Sequence, residues 1–160
     1  FGGAVGDVAL GIVAKQINYD WTRGQDKSLL GTVRCESGGV APEWGVLLTP
    51  GNVTHTLATN GASLDNAAAT SNGLAGHLHV TAFTGTTITV VVQESSDDGV
   101  GDPFTTKLSF TAMTADDGSE RKTATGAVER YLRISSSGTF TRGDFAVAYR
   151  RGTAQDDEAY

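Results

Sequence analysis

Short runs of β-branched and aromatic residues recur along the chain, each closed by Gly with Asn, Asp or Ser. No long window places apolar residues at three- and four-residue spacing, so little or no helix is expected. The pattern predicts an all-β fold, a jelly-roll-like antiparallel β-sandwich. Asp7–Ile17 reads as a first strand with Val8, Leu10 and Ile12 on one face, and Lys27–Cys35 as a second, joined through Thr22–Asp26. Ser37–Gly38–Gly39 turns the chain into Glu43–Thr49, and Pro50–Gly51–Asn52 ends that strand. Val53–Thr59 alternates Val53, His55 and Leu57 against Thr54, Thr56 and Ala58 before the Asn60–Gly61 turn.

Ala62–Gly76 is small, polar and without periodicity, so an internal boundary is placed there. Residues 1–75 then form an N-terminal β region with long loops, and 76–151 a C-terminal β-sandwich module. In the second part His77–Thr84 and Thr86–Glu94 read as two strands turned at Gly85, followed by the acidic loop Ser95–Asp102 and the strand Phe104–Thr111. After a second acidic loop, Ala115–Glu120, come Val128–Ser135 and Gly138–Arg150, separated by a Ser136–Ser137–Gly138 turn. Phe145, Val147 and Tyr149 are the expected buried face of that last strand. Residues 152–160 hold no apolar pattern and are expected to be a flexible acidic tail.

Composition narrows the function classes. A net charge of −6 argues against a partner held through nucleic-acid phosphates, which needs clustered Lys and Arg. No apolar run approaches the roughly 20 residues that span a bilayer as a helix, so no membrane partner is expected. Phe1–Gly6 lacks the basic start and apolar core of a signal peptide. The one cysteine, Cys35, excludes an intrachain disulfide and is expected to pack as a small residue in its strand.

Candidate chemistry is sparse. His77 and His79 lie two apart on one strand face, a spacing that could hold a transition metal with His55 or a carboxylate as third ligand. The favoured reading is an exposed polar face. Asp97, Asp98 and Asp102 with Gly99 and Gly101 are the residue types of a Ca²⁺ loop, as are Asp116–Asp117–Gly118, but Asp–Gly pairs are also ordinary turns, the better reading of both. No nucleophile elbow, zinc-protease motif or phosphate loop occurs. Glu43, Asp65 and Glu94 offer no reason to pair any two as a glycosidase acid and base. The expectation is a non-enzyme with no catalytic residues, cofactor or metal. Tyr19, Trp21, Trp44, Tyr131 and Tyr149 could form a sugar-stacking platform, although strand aromatics are more often core. Asn52–Val53–Thr54 matches a glycosylation sequon.

One resemblance adds to this. LHVTAFTGTTITVVVQESSDDG, LSFTAMT, SER and ERYLRISSSGTFTRGDFAVAYRR (segments of Leu78–Arg151) resemble a β-sandwich module of structural proteins of tailed bacteriophages, the major tail or tail-tube type in particular. GDVALGIVAKQINYDW, PEWGVLLTPG and THTLATNGASLDNAAATSNG look like the segment leading into it. The RYLRI strand, Arg130–Ile134, also resembles galactose-binding-like modules. The resemblance implies a virion location, partners that are copies of the chain and other virion proteins, and homo-oligomeric rings or tubes. Capsid decoration is a close variant, and a carbohydrate-binding module is the alternative. A negative subunit suits a conduit that DNA crosses, because it repels phosphate.

Overall fold

The computed structural model describes residues 3–24, 29–116 and 118–152. Among them there is no helix, and every strand pairing is antiparallel. Eleven strands form: β1 (Val8–Gly11), β2 (Ala14–Arg23), β3 (Leu29–Ser37), β4 (Glu43–Leu47), β5 (Val53–His55), β6 (Thr59–Asn60), β7 (Leu64–Asp65), β8 (Leu74–Ser95), β9 (Thr105–Ser109), β10 (Ser119–Ala124) and β11 (Tyr131–Arg151). Nine of them make one sheet, in the order β1-β4-β11-β8-β10, with β5, β6 and β7 also on β11 and β9 also on β8. The other two, β2 and β3, pair with each other and, among the described residues, with no further strand.

The centre of the molecule is the pairing of β8 with β11, which runs from Tyr131 opposite Ser95 to Arg151 opposite Leu74. The sequence pattern divides each of these strands in two, with turns at Gly85 and at Ser136–Gly138. The structure instead carries both strands straight through. Reversal is replaced by bulges: Thr86 and Thr81 are extra residues on β8, and Thr141 is an extra residue on β11. A bulge bends and twists its strand and exchanges its two faces. Two on β8 restore its phase, so Leu78 and Val80 share even numbering with Ile88, Val90 and Val92 in the core. One on β11 inverts its phase, so burial passes from Leu132 and Ile134 to Phe145, Val147 and Tyr149. Gly138, at φ +125°, occupies a conformation a side chain would strain, and a Cβ there would lie 2.4 Å from the Thr87 carbonyl oxygen.

The bends bring the two ends of β8 face to face. A Cβ on Gly76, at its start, would lie 2.6 Å from Leu108 Cδ2, yet Leu108 sits opposite Val92 near its end. One hydrophobic cluster therefore fills the folded sheet, with Leu48, Leu78, Ile88, Leu108, Phe110, Leu132, Phe145 and Tyr149 among its members. Its buried polar atoms all have partners among the described residues. Thr49 Oγ1, for example, accepts from the Val147 amide at 3.1 Å.

Smaller departures follow from the same sheet. Asp7–Ile17 is two strands broken at Ile12–Val13, and Ala62–Gly76 contributes the short β7. Strand β10 arises where an acidic loop is expected to end, because its backbone completes the edge of β8. Glu43–Asp65, assigned by pattern to the N-terminal region, is hydrogen-bonded into the same sheet as the C-terminal strands. Lys27, Ser28, Asp117 and residues 153–160 lie outside the described residues.

Candidate functional site

The N-terminal strands place their side chains in an unusual way. In the β1–β4 pair, Gly11 stands opposite Glu43 and Ala9 opposite Gly45, while Leu10 stands opposite Trp44 and Val8 opposite Val46. Alternation therefore gives the pair one face of small residues with a single carboxylate, and one face of large apolar residues. The small face lies against the sheet. A Cβ on Gly45 would fall 2.2 Å from the Tyr149 carbonyl oxygen, and one on Gly11 would enter the His77 ring at 2.5 Å. Only glycine lets the pair lie this close.

Glu43 fixes the pair in that orientation. It is 9% exposed, and its two oxygens accept from Arg121 Nε and Nη2, each at 2.7 Å. His77 Nε2 lies 2.7 Å from Oε2 of the same carboxylate. The bidentate Arg121 bond, opposed by burial and aided by His77, holds the Glu43 carboxyl below its ordinary range, and the Arg121 guanidinium is raised in return. Strands β4, β8 and β10 are thus bolted together at one buried ion cluster.

Most of the apolar face then points outward, with Val8 75% exposed, Leu10 49% and Trp44 67%, while Val46 on the same face packs against the core. Beside it, an open groove of about 490 Å³ runs between Leu10–Ala14 and a sheet surface floored by Ala146 and Ala148. From Ala14 the chain enters the β2–β3 ribbon, where Trp21 (53% exposed) lies across Gly31 of the facing strand. The opposite ribbon face carries Asn18, Asp20 and Thr22 against Arg34, Thr32 and Leu30. Among the described residues, eight of the ten exposed large hydrophobic side chains fall between Val8 and Trp44, the others being Leu57 and Val100. Strand periodicity pointed to Val8, Leu10 and Ile12 sharing a face, but gave no sign that this face is the outer one.

The other candidates separate. His55 is not near the His77–His79 strand: its Nδ1 is 2.7 Å from Ser136 Oγ and its ring packs edge-on against Phe145, so it is no third ligand. Burial there pushes its pKa down. His79 is exposed, as its polar-face reading requires. Asp97 is a loop organiser, its carboxylate accepting from the amides of Asp102, Gly101 and Val100, which lower its pKa. No three His, Cys, Asp or Glu of the described residues are placed to hold a metal ion. Asp65 accepts both Arg130 bonds at 2.7 and 2.6 Å, which bring its pKa down to about 2, and Glu94 accepts from the Glu129 amide at 3.0 Å. Each of the three carboxylates has its own partners, and none faces another across a shared cleft.

The aromatic set divides as well. Tyr149 is a core residue bonded to Asn66, and Tyr131 has the Arg130 guanidinium over its ring at 4.9 Å. Trp21 and Trp44 remain outside, on separate strand pairs, and the side chain of Tyr19 lies outside the description. Asn52 accepts from the Thr81 hydroxyl at 3.1 Å. Cys35 is exposed rather than packed, because β3 has only β2 as a neighbour.

No known protein family matches this chain. No curated protein matches it. No solved structure matches it either.

Proposed function

We propose that the chain is a structural subunit that works by contact with copies of itself, in a tailed phage or phage-like particle. The major tail or tail-tube type is preferred, with capsid decoration as a variant of the same reading. The supporting observation is the distribution of exposed apolar side chains. They concentrate between Val8 and Trp44, on and beside strands that are paired but not covered, as a surface meant for a neighbour would be. The resemblance of Leu78–Arg151 to tail modules supplies the particle, and the net charge of −6 suits a passage for DNA.

Mass photometry and negative-stain imaging over a range of concentrations test this directly. Rings or tubes are the expected result. A chain that stays monomeric at high concentration and binds sugars on a glycan array would replace it with the carbohydrate-binding reading. Loss of that binding in Trp44→Ala would then locate the platform.

A further inference from the structure

We infer that the outward apolar face of β1–β4 is the seat for the β2–β3 ribbon of a second copy, in a head-to-tail contact. This rests on the subunit reading and names its partner surfaces.

The exposed face is built in. Shifting β4 by one residue against β1 and the sheet would turn Trp44 inward, as hydrophobic burial favours. It would also pull Glu43 from Arg121 and His77 and drive side chains into the space that Gly11 and Gly45 leave open. The ion cluster thus holds Val8, Leu10 and Trp44 to the outside.

The ribbon has the complementary need. A two-stranded ribbon alone is marginal in water, and among the described residues no other strand pairs with this one. Its own β1–β4 face is out of reach. Only Ile12 and Val13 separate β1 from β2, and the Gly38 amide bonds the Val13 carbonyl at 2.8 Å, which closes the ribbon base as a continuation of the pair. In the structure the ribbon leaves its own β1–β4 face uncovered, with Val8, Leu10 and Trp44 exposed, so the face it can seat on is a neighbour's.

Charge and shape agree. Residues 14–37 carry Lys15, Arg23, Lys27 and Arg34 against Asp20, Asp26 and Glu36, one net positive charge, whereas the whole chain is −6, which leaves −7 on the remainder. Ribbon and body therefore attract between copies. The groove of about 490 Å³ beside Leu10, lined by Ala146 and Ala148 together with His77, His79, Glu120 and Arg121, has room for an indole such as Trp21. The indole N–H could find a polar partner there, and the ring is the kind of anchor that dominates interface energies. Ribbon on face leaves each copy with one free ribbon and one free face. The contact propagates into an open chain, or into a ring where the rotation closes.

The test uses the whole chain and three variants. Leu10→Asp spoils the face and Trp21→Asp spoils the ribbon, while Trp21→Phe keeps an apolar anchor. Sedimentation velocity should show each Asp variant weakened in self-association by at least about thirtyfold. Trp21→Phe should stay within about tenfold of the parent. Unchanged circular dichroism and melting would certify the folded body in each. An equimolar mixture of the two Asp variants should form a one-to-one complex, since one sound ribbon then meets one sound face. Should the parent assemble and either Asp variant assemble equally well, or should the mixture fail to pair, the contact is overturned while the subunit reading stands. A parent that remains monomeric overturns both.

Discussion

Residues 74–151 and residues 8–44 are both antiparallel β structure, yet they treat apolar side chains in opposite ways. In the first region two long strands bend over a shared core, and Val80, Ile88, Val92, Leu132, Phe145 and Val147 are fully buried. In the second, the strands keep their hydrogen bonds and turn Val8, Leu10, Trp21, Leu30 and Trp44 to solvent. Backbone pairing alone is thus enough to shape a strand, but not to cover it. The later region draws its stability from within, and the earlier one is joined to it through β4, by backbone pairing with β11 and by the Glu43 ion cluster, and is otherwise left open.

The sharpest way to break this contrast is in the core. Phe145→Ala removes a fully buried ring that packs against His55 and should cost about 3–5 kcal/mol in urea unfolding. Glu43→Ala attacks the fastening instead. It leaves Arg121 and His77 without their carboxylate and should cost about 2 kcal/mol, with the β1–β4 pair becoming more open to proteases than β8 and β11. Acid should imitate that variant. The folded Glu43 pKa lies below its ordinary 4.5, so the folded state favours the ionised carboxyl. That contribution is complete above pH 4.5 and fades as pH falls through the lower folded value. Protease sensitivity of residues 8–44 should therefore rise in acid before the core melts, and should show no such step in Glu43→Gln.

How much of this could be read from residue order alone depends on distance along the chain. Alternation in Phe145, Val147 and Tyr149 marked a buried strand correctly, because one face of one strand is a local property. Gly85 and Ser136–Gly138 read as reversals in the sequence, yet both strands run on, since glycine permits a bend and a turn alike and only the bulged partner decides between them. The strand face of Val8, Leu10 and Ile12 was visible, but its outward direction is set by Glu43, whose partners lie 34 and 78 residues away. The candidate histidines suffered likewise: His77 belongs with Glu43, and His55 with Ser136 in the core.

That second histidine separates the regions more gently. His55 is buried, and burial lowers its pKa from 6.5, so between neutral pH and pH 5 the unfolded chain gains a proton that the folded chain resists. Stability should decline over that interval, and His55→Gln should flatten the decline in calorimetric melts. The smallest effects belong to the open region. Trp21→Ser or Val8→Thr should change unfolding of the dilute monomer by no more than about 0.5 kcal/mol, because these side chains are already in water. A larger loss would mean that the first region shares the core after all.

Strand β11 hydrogen-bonds to β4, β5, β6, β7 and β8, every one of which leaves the ribosome before it does. Among the described residues β5, β6 and β7 pair with no other strand, so each can take its place in the sheet only once its own stretch of β11 has been made, and closure waits for that late strand. Such late, long-range pairing is slow to form and leaves earlier strands unprotected during translation. A cell producing this polypeptide at high level must shelter nascent copies from one another until that strand arrives.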